Sequence, residues 1–294
     1  MSFEIIILPY SWFHNEITPT KFDNFKSLIN KSYDKPRHKY GIIKSSRLNK
    51  NHSLLDDLAI KISDQINIYL LLVKKEAFES LNVNRQFTGD IDQCYNCDIP
   101  PVLPYSDIAK SSMHVVNSRF EFNEDILQRC VASVGLKSNH YHSDSQTIAN
   151  FELTCFTSFM RNIAPVYLEH VLSLIKHEFF FNLLNNTGGF NVEETGNYKK
   201  IIIYADVIVE HDLVDYYINK CNFEKTGNKD LLIEVNKETG DAGGFGLLED
   251  GILASRDFHL GFLKRELKLK KKADYKFVSD LMGTNGMTIM PEWK

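Results

Sequence analysis

The residue types most suited to metal binding form two pairs in the first half of the chain. Cys94 and Cys97 have the Cys-x-x-Cys spacing of structural zinc sites, and His140 and His142 follow as a second pair of ligand types. The separation of the pairs is not that of a usual zinc module, and no strand-then-helix pattern surrounds the cysteines as in a redox motif. The sequence therefore favours unrelated, reduced cysteines, and we predict no metal site.

A glycine-rich segment and a basic run contain residue types that could bind phosphates. Residues 240–246 (GDAGGFG) follow a predicted strand, but no clear helix comes next, so a flexible loop beside a substrate site is favoured over a nucleotide site. Residues 264–272 (KRELKLKKK) are typical of a solvated helix face or a frayed end. The net charge of −4 argues against a general nucleic-acid binder, which needs a basic surface.

Composition indicates a folded protein of a reducing compartment. Of the 294 residues, 43% are hydrophobic and 24% are charged, which supplies a core and excludes wholesale disorder. The first residues (MSFEIIILPYSW) do not resemble a signal peptide, and no run approaches the roughly 20 apolar residues of a membrane helix. Five cysteines are a sparse, odd-numbered set. We therefore expect a cytoplasmic protein, with neither membrane nor nucleic acid among its partners.

Chemically useful residues need elements to position them, and the second half of the chain predicts these elements most clearly. Strands are expected over 150–160, 200–209 and 231–235, with a long apolar helix behind Pro165 and a short helix over 211–220. This alternation is typical of an α/β sheet with crossover helices.

The first half adds elements of the same kind. Strands are expected over 3–8 and 66–73. Between them, one amphipathic helix begins near Phe22 and stops before Pro36, and another opens at Ser53. Shorter elements are expected elsewhere: a strand over 114–122, a helix over 123–132, a loop over 135–148 and a last strand over 258–263.

The order of these elements and one local motif resemble the GNAT superfamily of N-acetyltransferases. Residues 215–224 (DYYINKCNFE) are similar to the closing signature of that family, a helix with a tyrosine a few residues before Gly-Phe-Glu. Asn222 replaces the glycine, and asparagine tolerates the left-handed backbone that the turn requires. Residues 25–33 (FKSLINKSY) are similar to the first family helix, which walls the acceptor site.

The resemblance implies an α/β (α+β) fold with a GNAT-like mixed central sheet flanked by helices. It implies a single domain over 1–265 with a large insertion at about 76–149, and a basic C-terminal extension over 266–294. Strands 150–160 and 201–209 are then neighbours that splay around a slot closed by the helix that bears Tyr217.

The resemblance also implies roles for three residues. Tyr217 matches the family tyrosine that protonates the coenzyme sulfur, Glu152 lies where a base or water-holding carboxylate is found, and His211 lies near an asparagine that contacts the coenzyme. Each residue has a simpler interpretation, as a core tyrosine, an exposed edge glutamate and a helix-capping histidine. Both interpretations stay open at this point.

The turn that receives the coenzyme pyrophosphate departs from the family pattern. The family loop, Arg/Gln-x-x-Gly-x-Gly/Ala, presents backbone N–H groups to the phosphates, and glycine allows their close approach. The corresponding turn, FMRNIAP, has no glycine, and Pro165 removes one N–H. By resemblance, Arg161, Asn162, Ile163 and Ala164 are the cofactor-binding residues, and we expect acetyl-CoA binding to be weak or lost.

Two functions from different classes follow. The first is transfer of acetyl from acetyl-CoA to a small amine, such as an amino sugar, a polyamine or an amino acid. The second is a catalytically inactive protein of the same fold that binds a metabolite or regulates, and the glycine-free turn favours it. A third interpretation, an adaptor whose segment 76–149 binds another protein, is permitted by its Asn/Pro/Ser-rich sequence. A homodimer also stays open.

Overall fold

The computed structural model describes residues 2–15, 17–18, 20–48, 53–88, 96–100, 108–139, 147–177, 198–242, 251–270 and 288–289. Over these ranges the chain forms a ten-stranded mixed sheet flanked by helices, which confirms the predicted fold class. The strands are β1 (Phe3–Leu8), β2 (Ile66–Val73), β3 (Ser112–Val115), β4 (Cys130–Ser138), β5 (Ile148–Ser158), β6 (Lys200–Ile208), β7 (Glu224–Lys225), β8 (Leu231–Ile233), β9 (Phe258–Lys268) and β10 (Thr288–Ile289). The helices are α1 (Tyr10–His14), α2 (Asp23–Tyr40), α3 (Leu54–Asp57), α4 (Lys75–Glu79), α5 (Glu124–Arg129), α6 (Ile163–Ile175) and α7 (Leu213–Cys221).

The strands follow the order β10-β3-β1-β2-β4-β5-β6-β9-β7, and β8 also pairs with β9. The central neighbours β5 and β6 are parallel, whereas β4–β5 and β6–β9 are antiparallel. Parallel neighbours need a crossover, and α6 lies in the connection between β5 and β6.

Side chains of the central strands alternate between two apolar layers. In β1, Ile5 and Ile7 join the cluster that contains the buried face of α6, while Ile6 and Leu8 join the cluster that contains α1 and α2. Strand β2 is buried along its whole length, which explains its almost unbroken apolar sequence, INIYLLLV.

Strands β5 and β6 part before they end. Their parallel pairing stops at Glu152 and Tyr204, and both strands then continue without pairing to each other. On its other edge, β5 has one residue more than β4 between successive pairs, beside Cys155, whose φ is +47°. Such a bulge bends the strand that carries it. The prediction that 150–160 and 201–209 lie side by side in one sheet is confirmed, and we infer that the bulge helps to open the gap between them.

The bulge region depends on a close approach between β4 and β5 at Gly135. A Cβ atom there would lie 2.7 Å from the carbonyl oxygen of Thr154 and 2.9 Å from its Cγ2. Gly135→Ala is therefore expected to lower the free energy of unfolding by about 1–3 kcal/mol, as overpacking does, in urea titrations followed by circular dichroism. Gly261→Ala is the control, since its Cβ would meet only side-chain atoms, the nearest being Val209 Cγ2 at 3.2 Å. An equal loss in both variants would contradict the steric argument.

Helix α2 runs farther than predicted. The expectation that it stops before Pro36 is wrong, because the helix continues through that residue to Tyr40. The missing N–H costs one hydrogen bond, but the buried face of α2 and the helix end compensate for it. Gly41 adopts a left-handed φ of +65°, and its N–H donates to the carbonyl of Arg37. Helix α3 is shorter than predicted, although Ser53 caps it as expected.

Three other predictions of strands and loops need correction. Strand β4 covers residues expected to be a helix end and a loop, because Ala132, Ser133 and Gly135 dilute its apolar pattern. Strand β3 ends at Val115, well before residue 122. Strand β9 continues to Lys268 instead of ending at 263, since its charged residues pair across the sheet, as Glu266 does with Lys200 at 2.5 Å.

The segment 76–149, predicted to be an insertion, contributes to the centre of the sheet. Strands β3 and β4 lie within it, and β4 stands between β2 and β5. The single domain over 1–265 and the basic extension over 266–294 stay predictions, and only 266–270 and 288–289 of that extension are described. None of the helices in the described ranges has the length and apolar character needed to cross a membrane.

Candidate functional site

The gap between β5 and β6 opens into a cavity of about 570 Å³, which we name the β5–β6 cavity. This volume is within the range of roughly 300–1,000 Å³ that is common for ligand pockets. Polar side chains reach it from the sheet and from the segments packed over the sheet. They include Lys137, Glu152, Thr154, Asp206, Tyr33, Asp34, Arg37, Arg47, Asp56, His211 and Tyr217.

The β5–β6 cavity brings together three of the predicted site residues and leaves four outside. Glu152, His211 and Tyr217 line it. The other four, residues 161–164, are absent from its lining and form the turn before α6 and the first residues of that helix. Strand β5 connects the two places, because it carries Glu152 into the cavity and ends just before this turn.

Glu152 is held by a buried lysine. The Nζ atom of Lys137 lies 3.2 Å from Oε2 of Glu152 and donates a 2.8 Å hydrogen bond to the carbonyl of Leu58. Because the lysine is buried, its charge needs this pairing. Glu152 is therefore half of an ion pair in the cavity wall, and the interpretation as a simple exposed edge glutamate is wrong.

Asp206 projects from β6 into the same cavity. Burial by the surrounding walls, and to a smaller extent the nearby Glu152 carboxylate, raise the pKa of Asp206 from 3.8 to about 6. Its side chain remains reachable from the cavity, and it has no hydrogen bond or ion pair with the described residues. A carboxylate of this kind is mostly ionised at pH 7 and is basic enough to accept a proton.

His211 is buried in the cavity wall, with 6% of its surface exposed. Its ring stacks on Tyr40 at a centroid distance of 5.0 Å, and Nε2 has no hydrogen-bond partner among the described residues. Burial lowers the pKa of His211, against the opposing effect of Glu210 and Asp212, so the imidazole is neutral at pH 7. The helix-capping interpretation is wrong, since Asp212 precedes α7 and that helix start has no side-chain cap.

Tyr217 lies on α7 among aromatic side chains. Its ring centroid is 5.9 Å from that of Phe156 and 5.5 Å from that of Phe223. Burial is the main reason why the pKa of Tyr217 lies well above 10, and the phenol stays protonated at neutral pH. Asn222 ends α7 in the left-handed conformation, with φ of +56°, as its place in the motif predicts. The phenol is thus a proton donor in the wall of the cavity.

The turn before α6 has the backbone shape that glycine normally provides. Asn162 is left-handed, with φ of +62°, and it precedes the helix without a side-chain cap. The N–H of Ile163 makes only a 3.4 Å bond, to the carbonyl of Met160, and Pro165 has no N–H. These residues fit a phosphate group at the helix start, with fewer donors than a glycine-rich loop offers.

Two residues of the site were missed by sequence reasoning. Asp206 lies inside the β-branched run IIIYADVIV, and a single carboxylate in an otherwise apolar strand was a usable signal, because it stands out from the residues that build the core. Lys137 falls in the segment expected to be a loop, so its burial against Glu152 had no sequence signal.

The metal-ligand types noted in the sequence fall largely outside the described residues, as Cys94, His140 and His142 do. Cys97 is described, and its thiol is buried and donates to the carbonyl of Gln86. Within the described ranges, no three His, Cys, Asp or Glu side chains are grouped as a metal site would need. The glycine-rich segment 240–246 is described only as far as residue 242.

Comparisons with known proteins match nearly the whole chain. The sporulation protein RMD6 of Saccharomyces cerevisiae is 25% identical over 266 residues, which cover 90% of this chain and 95% of that protein. Among solved structures, a candidate acetyltransferase from Sphaerobacter thermophilus aligns with a TM-score of 0.24 and 4% identity, over 79% of this chain and 86% of that one. The family model for sporulation protein RMD6 matches residues 1–267, and the chain therefore belongs to that family.

Proposed function

We propose that the protein transfers an acetyl group from acetyl-CoA to a small amine bound in the β5–β6 cavity. The observation that carries this proposal is the parting of β5 and β6 around a cavity that Glu152, Asp206 and Tyr217 line together. A carboxylate of raised pKa and a protonated phenol are the base and the acid that aminolysis of a thioester requires.

The amine end of the reaction needs a base. An alkylamine binds as an ammonium ion, which has no lone pair for attack until a proton leaves. The Asp206 carboxylate, with a pKa of about 6, can accept that proton and pass it to solvent. Glu152 cannot serve as easily, because it is already paired with Lys137.

The sulfur end needs an acid. Acetyl-CoA, when bound, supplies the acyl thioester. As the amine nitrogen bonds to the acyl carbon and the carbon–sulfur bond breaks, the Tyr217 phenol can give its proton to the leaving sulfur. Of the two protons that the ammonium loses, one leaves through Asp206 and the other replaces the proton given by Tyr217, so the tyrosine ends each cycle as a phenol.

A second function, binding of an amine without catalysis, is favoured by one observation. The first turn of α6 lacks an N–H at Pro165, and the N–H of Ile163 already bonds to the carbonyl of Met160 at 3.4 Å, so its donors for a diphosphate are few. An amine-binding protein of this kind would use the same cavity and would leave acetyl-CoA unbound.

Calorimetric titration of the full chain with acetyl-CoA separates the two functions. Under the first function we expect saturable binding, and Arg161→Ala is expected to weaken it about tenfold by removing one charge-assisted phosphate contact. Lys220→Ala, at another exposed basic residue, is the control and is expected to leave the affinity unchanged. Absence of binding at millimolar acetyl-CoA would overturn the transferase and leave the amine-binding function.

A further inference from the structure

The charged side chains of the β5–β6 cavity do not balance one another. Four carboxylates line it, and two of these have cationic partners in the wall. Asp34 pairs with Arg37 at 2.7 Å, and Glu152 pairs with Lys137 at 3.2 Å.

The other two carboxylates belong to Asp56 and Asp206. Neither side chain has a hydrogen bond or an ion pair with any residue that the structure describes. The remaining cation, Arg47, donates to the backbone carbonyl of Asp57 and lies 5.8 Å from the ring centroid of Tyr33. Against the four carboxylates stand three cations, Arg37, Arg47 and Lys137, so the lining carries one net negative charge. The two carboxylates without a partner in the described ranges lie at two separate positions.

Asp56 and Asp206 belong to different elements of the cavity wall. Asp56 belongs to α3, and the segment that follows α3 contacts β4, because Lys137 donates to the carbonyl of Leu58. Asp206 is on β6, with β5 in between. The two carboxylates are therefore carried by different elements of the wall, α3 and β6.

The wall also holds a polar group that lacks a partner. His211 lines the cavity, and only 6% of its surface is exposed. Its Nε2 atom has no hydrogen-bond partner within the described part of the chain. A neutral imidazole nitrogen can accept a hydrogen bond from an ammonium or amine group. This observation is independent of the carboxylates, and it also points to a bound polar ligand.

We propose that the amine bound in the β5–β6 cavity is an aliphatic dication of the polyamine type, with one ammonium group at Asp206 and a second at Asp56. This inference rests on the proposed function for the cavity and adds the class of the acceptor. A chain of methylene groups between the two charges fits the apolar lining, which includes Leu153, Val207 and Leu260.

The charges of the wall disfavour the other amines. A free amino acid would bring a carboxylate. Of the three cations in the wall, Arg37 and Lys137 already pair with Asp34 and Glu152, and Arg47 donates to the carbonyl of Asp57. An amino sugar would bring a single ammonium and would leave one of the two carboxylates without a partner.

Calorimetric titration with four amines tests the proposal. The probes are spermidine, 1,8-diaminooctane, butylamine and free lysine. We expect both multiply charged alkylamines to bind at least about tenfold more tightly than butylamine, because each gains a second charge-assisted contact. Their affinity is also expected to fall more steeply with salt.

Variants identify the two carboxylates. Asp56→Asn is expected to remove the advantage of the dications over butylamine, whereas Asp206→Asn is expected to weaken all the amines. Asp215→Asn, at an exposed position of α7 outside the cavity lining, is the control and is expected to change nothing.

The outcomes separate the failure of this inference from the failure of the proposed function. Equal affinities for butylamine and the dications, tighter binding of lysine, or a dication preference that survives in Asp56→Asn would each overturn the inference and leave an amine site. If none of the four amines binds, the proposed use of the cavity is overturned together with the inference.

Discussion

Tyr217→Phe is expected to lower kcat for acetyl transfer by about a hundredfold or more, the usual contribution of a positioned acid. The substitution removes only the phenol oxygen and keeps the ring against Phe156 and Phe223, so the packing of α7 is preserved. Amine affinity, measured by calorimetry, is expected to stay within about twofold, because the phenol acts on the sulfur and not on the amine.

The matched control is the neighbouring tyrosine. Tyr216→Phe changes the same atom on the same helix, but Tyr216 is absent from the cavity lining. Transfer is followed as release of the free thiol in the presence of spermidine. If both variants retain the parent kcat, the sulfur takes its proton from elsewhere, and Tyr217 is a packing residue.

Asp206→Asn is expected to lower kcat/KM by about a hundredfold at pH 7.5 and to change the pH profile. In the parent protein kcat/KM is expected to rise with pH until about 6, where Asp206 loses its proton, and then to level. The asparagine variant cannot titrate, so this rise is expected to be absent. Asp215→Asn, an exposed aspartate outside the cavity, is the control and is expected to keep the parent profile.

The same substitution is expected to stabilise the fold at neutral pH. The pKa of Asp206 is higher in the folded chain than its ordinary value, so the folded state binds this proton more tightly. Stability is then lost as pH rises from about 4 to about 6, when the carboxylate becomes ionised without a cationic partner. Tm of Asp206→Asn is expected to exceed that of the parent at pH 7.5 and to match it near pH 3.5. A lower Tm at pH 7.5 would contradict the unpaired carboxylate.

The parts of the fold that could be predicted are those whose residues carry a strong local signal. Strand β2 has an almost unbroken apolar run and was predicted residue for residue over 66–73. Strand β4 was not predicted, because its small residues have a weak strand preference. Its stability comes from the neighbouring strands β2 and β5 on its two edges. The Pro36 error has the same origin, because packing of the whole α2 face outweighs one missing hydrogen bond.

In the candidate site, too, some features could be predicted from the sequence and others could not. The placement of Tyr217 and His211 near one strand end followed from the order of elements in the motif. The charge state of Asp206 and the pairing of Lys137 with Glu152 depend on which side chains meet across three strands, and sequence spacing contains no such information. Asn162 is a case in which the sequence was misleading. The turn before α6 lacks glycine, yet Asn162 adopts the left-handed backbone that glycine normally provides.

The surplus residue of β5 beside Cys155 has a consequence for how relatives of this chain are aligned. Side chains alternate along a strand, so removing one residue would turn every later side chain of β5 to the opposite face. The count of residues from Glu152 to the end of the strand therefore matters more than their identity. We expect a family member with the same residue types here but one residue fewer in β5 to have a continuous sheet where this protein has an opening.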